Sequence, residues 1–125
     1  MKMIMAVIRI DKVNETREAL SEAGMPSYFA TGQVYGRGKG KWDAKIMEGA
    51  RNDLPEAISK LGPEPALRPH RLITLVVKAS RVKDAVNAII KSNRTEKPGD
   101  GKIFVLPMTD ATRVRTREVG EGVLD

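Results

Sequence analysis

The chain has 125 residues, enough for one domain around one core, with 41% hydrophobic, 30% charged and only 4% aromatic residues. A net charge of +6 and a pI near 9.8 favour anionic partners, from nucleotides and nucleic acid to acidic metabolites and protein surfaces, without choosing among them. The absence of cysteine excludes a disulfide framework and a thiolate metal site and suits a reducing cytoplasm, and no apolar run approaches the ~18 residues of a membrane span.

Residues 2–10 read as a first strand. Val, Ile and Met alternate with other residues there, and no small-residue cleavage site follows, so a strand rather than a signal peptide is expected. DKVNETREALSEAG reads as a helix, with Val13, Thr16, Leu20 and Ala23 at helical spacing. Asp11 or Asn14 is expected to cap its start, Gly24 to end it, and Pro26 forbids continuation. SYFATGQVYG, rich in aromatic and β-branched residues, is the second predicted strand, ending near Gly36. Residues 37–68 lose periodicity, apart from a possible short helix in LPEAISKL. A connection this long in so small a domain is usually functional or mobile.

HRLITLVVKA is the third predicted strand. SRVKDAVNAIIKSN is the clearest helix, with Ser80 as the expected N-cap and one apolar stripe made by Val82, Ala85, Val86, Ile89 and Ile90. A polar turn, RTEKPGDG, leads into a fourth strand, KIFVLP. ATRVRTRE is expected as a short final strand and VGEGVLD as a loose tail. Strand-helix-strand occurs twice around the long loop. The pattern fits an α+β, ferredoxin-like β-α-β-β-α-β sandwich in one domain over 1–125, with an extra C-terminal strand. Its helices cover one sheet face only, so burial of the other face predicts oligomerisation.

Three segments carry chemistry. In GDGK, Gly99 and Gly101 permit positive φ and a close approach of backbone N–H groups to an anion, and Lys102 adds a point charge at the mouth of a strand. A P-loop would need a hydroxyl after the lysine and a helix beyond it. Ile103 and a strand follow instead, so Walker-type phosphoryl transfer is not expected. In RVR, Arg113 and Arg115 would share one face of a strand, where two guanidinium groups suit a polyphosphate. In GRGKGKW, residues 36–42, three glycines alternate with basic residues and could wrap a phosphate or carboxylate. Each segment alone reads equally well as a surface turn, an edge strand or a solubilising loop. His70 is the only histidine, so no Ser-His-Asp set and no side-chain metal site is expected. Trp42, in the long loop, could anchor a partner or pack on its own domain.

TEKPGDGKIFV, the RVRT that begins eleven residues beyond Lys102, and TREAL in the first helix resemble the PII signal-transduction proteins across nearly the whole chain outside the middle loop. GRGKGK, DATRVRT and the glycine-rich acidic tail look most like the nitrogenase-associated branch. The resemblance implies a non-catalytic cytoplasmic regulator, a trimer that binds ATP or ADP between subunits, with Mg2+ alongside ATP. It implies a T-loop, here about 37–68, that docks on a target such as a nitrogenase component, a B-loop at about 94–102, and a C-terminal tail at about 116–125. By the same resemblance Gly99, Asp100, Gly101 and Lys102 hold the nucleotide phosphates, and Arg113 and Arg115 reach them across the subunit boundary. Gly36, Gly38 and Lys39 match the start of the T-loop, and Thr31 and Val76 positions near its base. The family's 2-oxoglutarate site is altered: Gly40 stands for its glutamine and His70 for its lysine, with Lys41 or Arg71 as possible substitutes. Each lost charged hydrogen bond would cost roughly 1.5–3 kcal/mol, which leaves 2-oxoglutarate sensing open. A homotrimer and a hetero-oligomer with a paralogue are both compatible.

Two other readings stay open. One is a nucleic-acid-binding module on a ferredoxin-like sheet, favoured by the charge and opposed by the lack of aromatics for base stacking. The other is a regulator of an ammonium transporter or another metabolic enzyme.

Overall fold

The computed structural model of the chain describes residues 1–36 and 67–124. The possible helix in LPEAISKL, and with it Gly38, Lys39, Gly40, Lys41 and Trp42, lies outside the described residues. Four strands, β1 (Lys2–Ile8), β2 (Phe29–Gly36), β3 (Arg68–Val77) and β4 (Lys102–Pro107), form one antiparallel sheet in the order β2-β3-β1-β4. Helices α1 (Val13–Glu22) and α2 (Val82–Asn93) pack against one another. This is the ferredoxin-like sandwich, each strand-helix-strand unit split by a strand of the other. Among the described residues no helix is long and apolar enough to cross a membrane.

Alternation along the two central strands builds the core. Ile4, Ala6 and Ile8 of β1 and Ile73, Leu75 and Val77 of β3 are buried, and Leu20, Met25, Ala85 and Ile89 close over them. One polar staple crosses the core. The Asn93 amide donates to Thr16 Oγ1 at 2.8 Å and to the Ile89 carbonyl at 3.0 Å, while the Thr16 hydroxyl donates to the Lys12 carbonyl at 2.6 Å.

The residues on the opposite sheet face are also apolar. Register pairing puts Met3 between Val76 and Leu106, and Met5 between Thr74 and Phe104, with Phe29 beside Thr74. Among the described residues no helix covers this face, and Phe29 and Phe104 are 73% and 49% exposed.

Several boundaries and caps differ from those predicted. Neither Asp11, Asn14 nor Ser80 caps a helix. Each helix is entered through a 3-10 turn, Ile10–Lys12 and Ala79–Arg81, whose bonds from Lys12 N to Arg9 O (3.1 Å) and Arg81 N to Lys78 O (2.9 Å) do the capping work. The expected stop at Gly24 holds. The strand over ATRVRTRE does not form. Residues 114–116 turn, and a single bridge between Thr112 and Val119 closes the loop, so Arg113 and Arg115 do not share a strand face. The tail is tied rather than loose: Gly120 N donates to Ala111 O at 2.9 Å, Glu121–Val123 forms a 3-10 turn, and Glu121 lies 3.7 Å from the amino terminus. β3 starts at Arg68, so the long loop ends one residue earlier than expected.

Candidate functional site

The connection from α2 to β4, residues 94–101, is organised around one carboxylate. Asp100 accepts from the Thr95 amide at 2.7 Å, the Glu96 amide at 2.9 Å, the Thr95 hydroxyl and Arg9 Nε at 3.0 Å. Arg9 also donates from Nη2 to the Pro98 carbonyl at 3.1 Å. The Thr95 hydroxyl, then the Thr95 amide, the Arg9 guanidinium and the Glu96 amide, hold the Asp100 carboxyl far below the usual carboxylate range against the opposing effect of burial. With four donors on its two oxygens, three from the loop and one from Arg9, the Asp100 carboxylate holds the loop together.

The glycines in this loop are required by geometry. Gly101 has φ +106°, and a Cβ there would fall 1.8 Å from the Val7 carbonyl oxygen. Gly99 has φ +97°, and a Cβ there would meet Arg9 Nη2 at 3.5 Å and Arg68 Nη1 at 3.6 Å. Among the described residues, no backbone carbonyl accepts from the amides of Gly99 or Gly101. The loop thus presents backbone N–H groups beside two guanidinium groups, with Lys102 exposed at the start of β4. That combination is chemically suited to a multiply charged anion. Arg9, Arg68 and Thr95 were missed from sequence. Their signal lies in the register: Ile8 pairs with Arg71 and Val7 with Lys102, so the end of β1 and the starts of β3 and β4 meet at one edge.

His70 belongs to this edge too. Its residue is 9% exposed, Nδ1 lies 3.2 Å from the Arg68 carbonyl oxygen and Nε2 lies 3.1 Å from the Gly99 carbonyl oxygen. Gly36, the last residue of β2, pairs with Arg68; a Cβ there would meet nothing within 4 Å.

The remaining candidates lie elsewhere. Arg113 Nη1 donates to Glu118 at 3.2 Å within the C-terminal turn, and Val114 beside it is 94% exposed. Arg115 is in the turn itself. This segment follows β4, whose six residues span about 20 Å. Arg113 and Arg115 therefore stand at the opposite sheet end from the glycine loop, near the amino terminus, where Met108 N bonds Met1 O. Val76 is at that end as well, lining a pocket of about 230 Å³ with Met25, Lys78, Arg81 and Leu124. Thr31 lies in a bulge midway along β2, exposed, its hydroxyl donating to the Gly32 carbonyl at 3.2 Å. Among the described residues no three His, Asp or Glu side chains converge as a metal site.

A ferredoxin-like subunit whose described helices leave one sheet face open, with a glycine loop suited to anions at one end, has the frame of a small ligand-reading protein. The model of the nitrogen regulatory protein P-II family matches residues 1–118, and the chain belongs to that family. A nitrogen fixation nifHD region GlnB-like protein 2 from Methanobacterium ivanovii is 41% identical over 128 residues, covering 99% of both chains. A nitrogen regulatory protein P-II from Cereibacter sphaeroides is 36% identical over 121 residues, covering 97% of both. Among solved structures, that of Arabidopsis thaliana PII bound to citrate superposes with a TM-score of 0.72 at 28% identity, covering 98% of this chain and 88% of the other. The nifHD-region relatives bear out the resemblance to the nitrogenase-associated branch. Members of the family are non-catalytic signal-transduction regulators, and this chain is one of them.

Proposed function

We propose that the protein binds ATP or ADP through its phosphates at the 95–102 loop, in a site completed by a neighbouring copy, and that nucleotide occupancy sets how residues 37–67 engage a target protein. The observation that carries this reading is the division of the candidate residues. Gly99, Gly101 and Lys102 gather at one sheet end, with Arg9 and Arg68, whereas Arg113, Arg115 and Val76 stand at the other. One chain cannot close both groups on a single ligand; a second copy, laid against the first, can. The uncovered apolar face with Met3, Met5, Phe104 and Leu106 supplies the reason to associate, and a trimer is the arrangement proposed. A magnesium ion accompanying ATP would take its ligands from phosphate oxygens and water, as no carboxylate cage is present among the described residues. The relatives named for the nifHD region favour a component of the nitrogen-fixing enzyme as the target. We leave 2-oxoglutarate outside the proposed ligand set, since the His70 ring is already engaged with two carbonyls.

The test is calorimetry with ATP on the wild type, on Lys102→Ala and on Arg113→Ala. Each variant alone is expected to lose binding at least about 30-fold, the effect of one or two charged hydrogen bonds. Mixed oligomers refolded from the two variants should regain tight binding at a fraction of sites, because some boundaries then hold an intact loop against an intact arginine pair. Failure of the mixture to regain any would contradict a site shared between copies.

A further inference from the structure

We infer that His70 is a proton-operated brace between the phosphate-receiving loop and the root of the long 37–67 segment, so that anion binding and protonation of this one imidazole reinforce each other. The inference rests on the proposed phosphate site and deepens it.

The geometry is specific. Both ring nitrogens point at carbonyl oxygens: Nδ1 at Arg68 O, 3.2 Å, and Nε2 at Gly99 O, 3.1 Å. Carbonyl oxygens only accept. A neutral imidazole carries a single N–H, so either tautomer satisfies one carbonyl and turns a lone pair toward the other. Only the imidazolium donates to both. The two carbonyls belong to separate parts of the site. Arg68 is the first residue of β3, where the chain returns from the long segment, paired with Gly36, where it departs. Gly99 is one of the two glycines of the phosphate loop. Protonated, His70 ties these together; deprotonated, one tie is lost.

The surrounding charges set the sign of the coupling. On its own strand stand Arg68, beside Gly99, and Arg71, which projects to the other sheet face and whose buried Nε has no hydrogen-bond partner among the described residues. Arg9 reaches in from the end of β1, and Asp100 from the loop. β2 contributes Val34, paired with His70, and Tyr35, paired with Pro69. Among the described residues, the guanidinium groups of Arg9 and Arg68 stand at Gly99, and Arg9 also pairs with the Asp100 carboxylate. A polyphosphate at the glycine loop would add several negative charges at this end of the sheet and favour the imidazolium. By linkage, protonation then tightens the hold on the phosphate.

Because His70 is the only histidine, its ring signals in a proton NMR spectrum belong to it alone. In the intact protein the midpoint of that titration should lie higher with saturating ATP than without it. ATP affinity should weaken between pH 6 and pH 8 by about three- to tenfold more in the wild type than in His70→Gln, whose amide donates at all pH values and reports the titration of ATP itself. Amide exchange over residues 95–101, corrected for the intrinsic rate, should be slower at pH 6 than at pH 8 in the wild type and flat in His70→Gln. An unmoved or lowered midpoint, or equal pH slopes in the two proteins, would overturn the coupling. Exchange that is flat in the wild type overturns the brace whether or not ATP binds. A pH-dependent exchange with no ATP binding keeps the brace and sinks the nucleotide reading instead.

Discussion

The two helices of this fold are entered in the same way and left in different ways. Arg9 and Lys78 hold nearly identical extended backbone angles, φ −63° and −61°, and each leads through a three-residue 3-10 turn into its helix. After α1 the backbone closes on itself. Gly24 N bonds Ser21 O at 3.0 Å and Met25 N bonds Leu20 O at 2.9 Å, a Schellman end with Met25 buried against the core. After α2 a carboxylate does the closing. Asp100 takes up the Thr95 and Glu96 amides, and the Gly99 and Gly101 amides have no backbone carbonyl to bond among the described residues. Where the repeated halves agree, the residues serve folding. Where they part, backbone donors are left open, as the proposed phosphate site requires.

Gly101→Ala is the harshest way to break the second arrangement. The new Cβ would sit 1.8 Å from the Val7 carbonyl oxygen, a backbone atom of a central strand, at a φ of +106°. Either the loop or β1 must shift. The expected outcome is a loss of about 3 kcal/mol or more in stability by denaturant melts, and of at least about 100-fold in ATP affinity by calorimetry. A variant that folds and binds ATP like the wild type would show that this turn does not set the site.

Asp100→Asn comes next and separates charge from shape. It keeps the side chain's outline but removes the anion that draws in Arg9, with an expected loss of about tenfold in ATP affinity and about 1–2 kcal/mol in stability. The pH dependence has a definite sign. The native carboxyl is held far below its ordinary range by the Thr95 hydroxyl above all. Its stabilising contribution is therefore complete above the unfolded-state value of about 3.9 and is lost only as pH falls below it toward the native value. Denaturant melts of the two proteins should differ by a constant free energy above about pH 5 and converge in stronger acid. A gap that opens or closes near neutrality would point to a different group.

Much of the first comparison could be read directly from the chain. The periods of β1, β3 and α2, the stop at Gly24 and the GDGK turn are local signals, each within a few residues of its cause. The order of elements pointed to the ferredoxin-like frame, and helices on one sheet face alone led to the expectation of a partner. What escaped was whatever depends on register. Arg9, Arg68 and Thr95 carry no local mark, and only strand pairing brings the first two to Gly99. Asp100 could be placed in the loop from its neighbours, but not the four donors of its own chain that its carboxylate takes. The ATRVRTRE strand failed for the converse reason. Its alternation is real, but Arg117 adopts φ +63° and Arg113 pairs with Glu118, so the segment folds back on itself before any strand of this chain can receive it.

Gly24→Ala gives the smallest expected effect and the sharpest contrast. Gly24 has a positive φ of +82°, as Gly101 does, but a Cβ there would meet only the guanidinium tip of Arg81 at 3.6 Å and 3.9 Å, the far end of a flexible side chain. The cost should be that of a left-handed alanine, about 1 kcal/mol. It should fall on stability alone, with ATP affinity unchanged within about twofold. The reason is positional: α1 ends at the opposite end of the sheet from the phosphate loop, next to the β3 terminus at Val77 and Lys78, and none of its closing bonds involves residues 94–102. A clear drop in ATP affinity in this variant would mean that the two connections communicate through the helices, by way of the Thr16–Asn93 staple, and that the division between a folding end and a binding end is less sharp than the bond pattern implies.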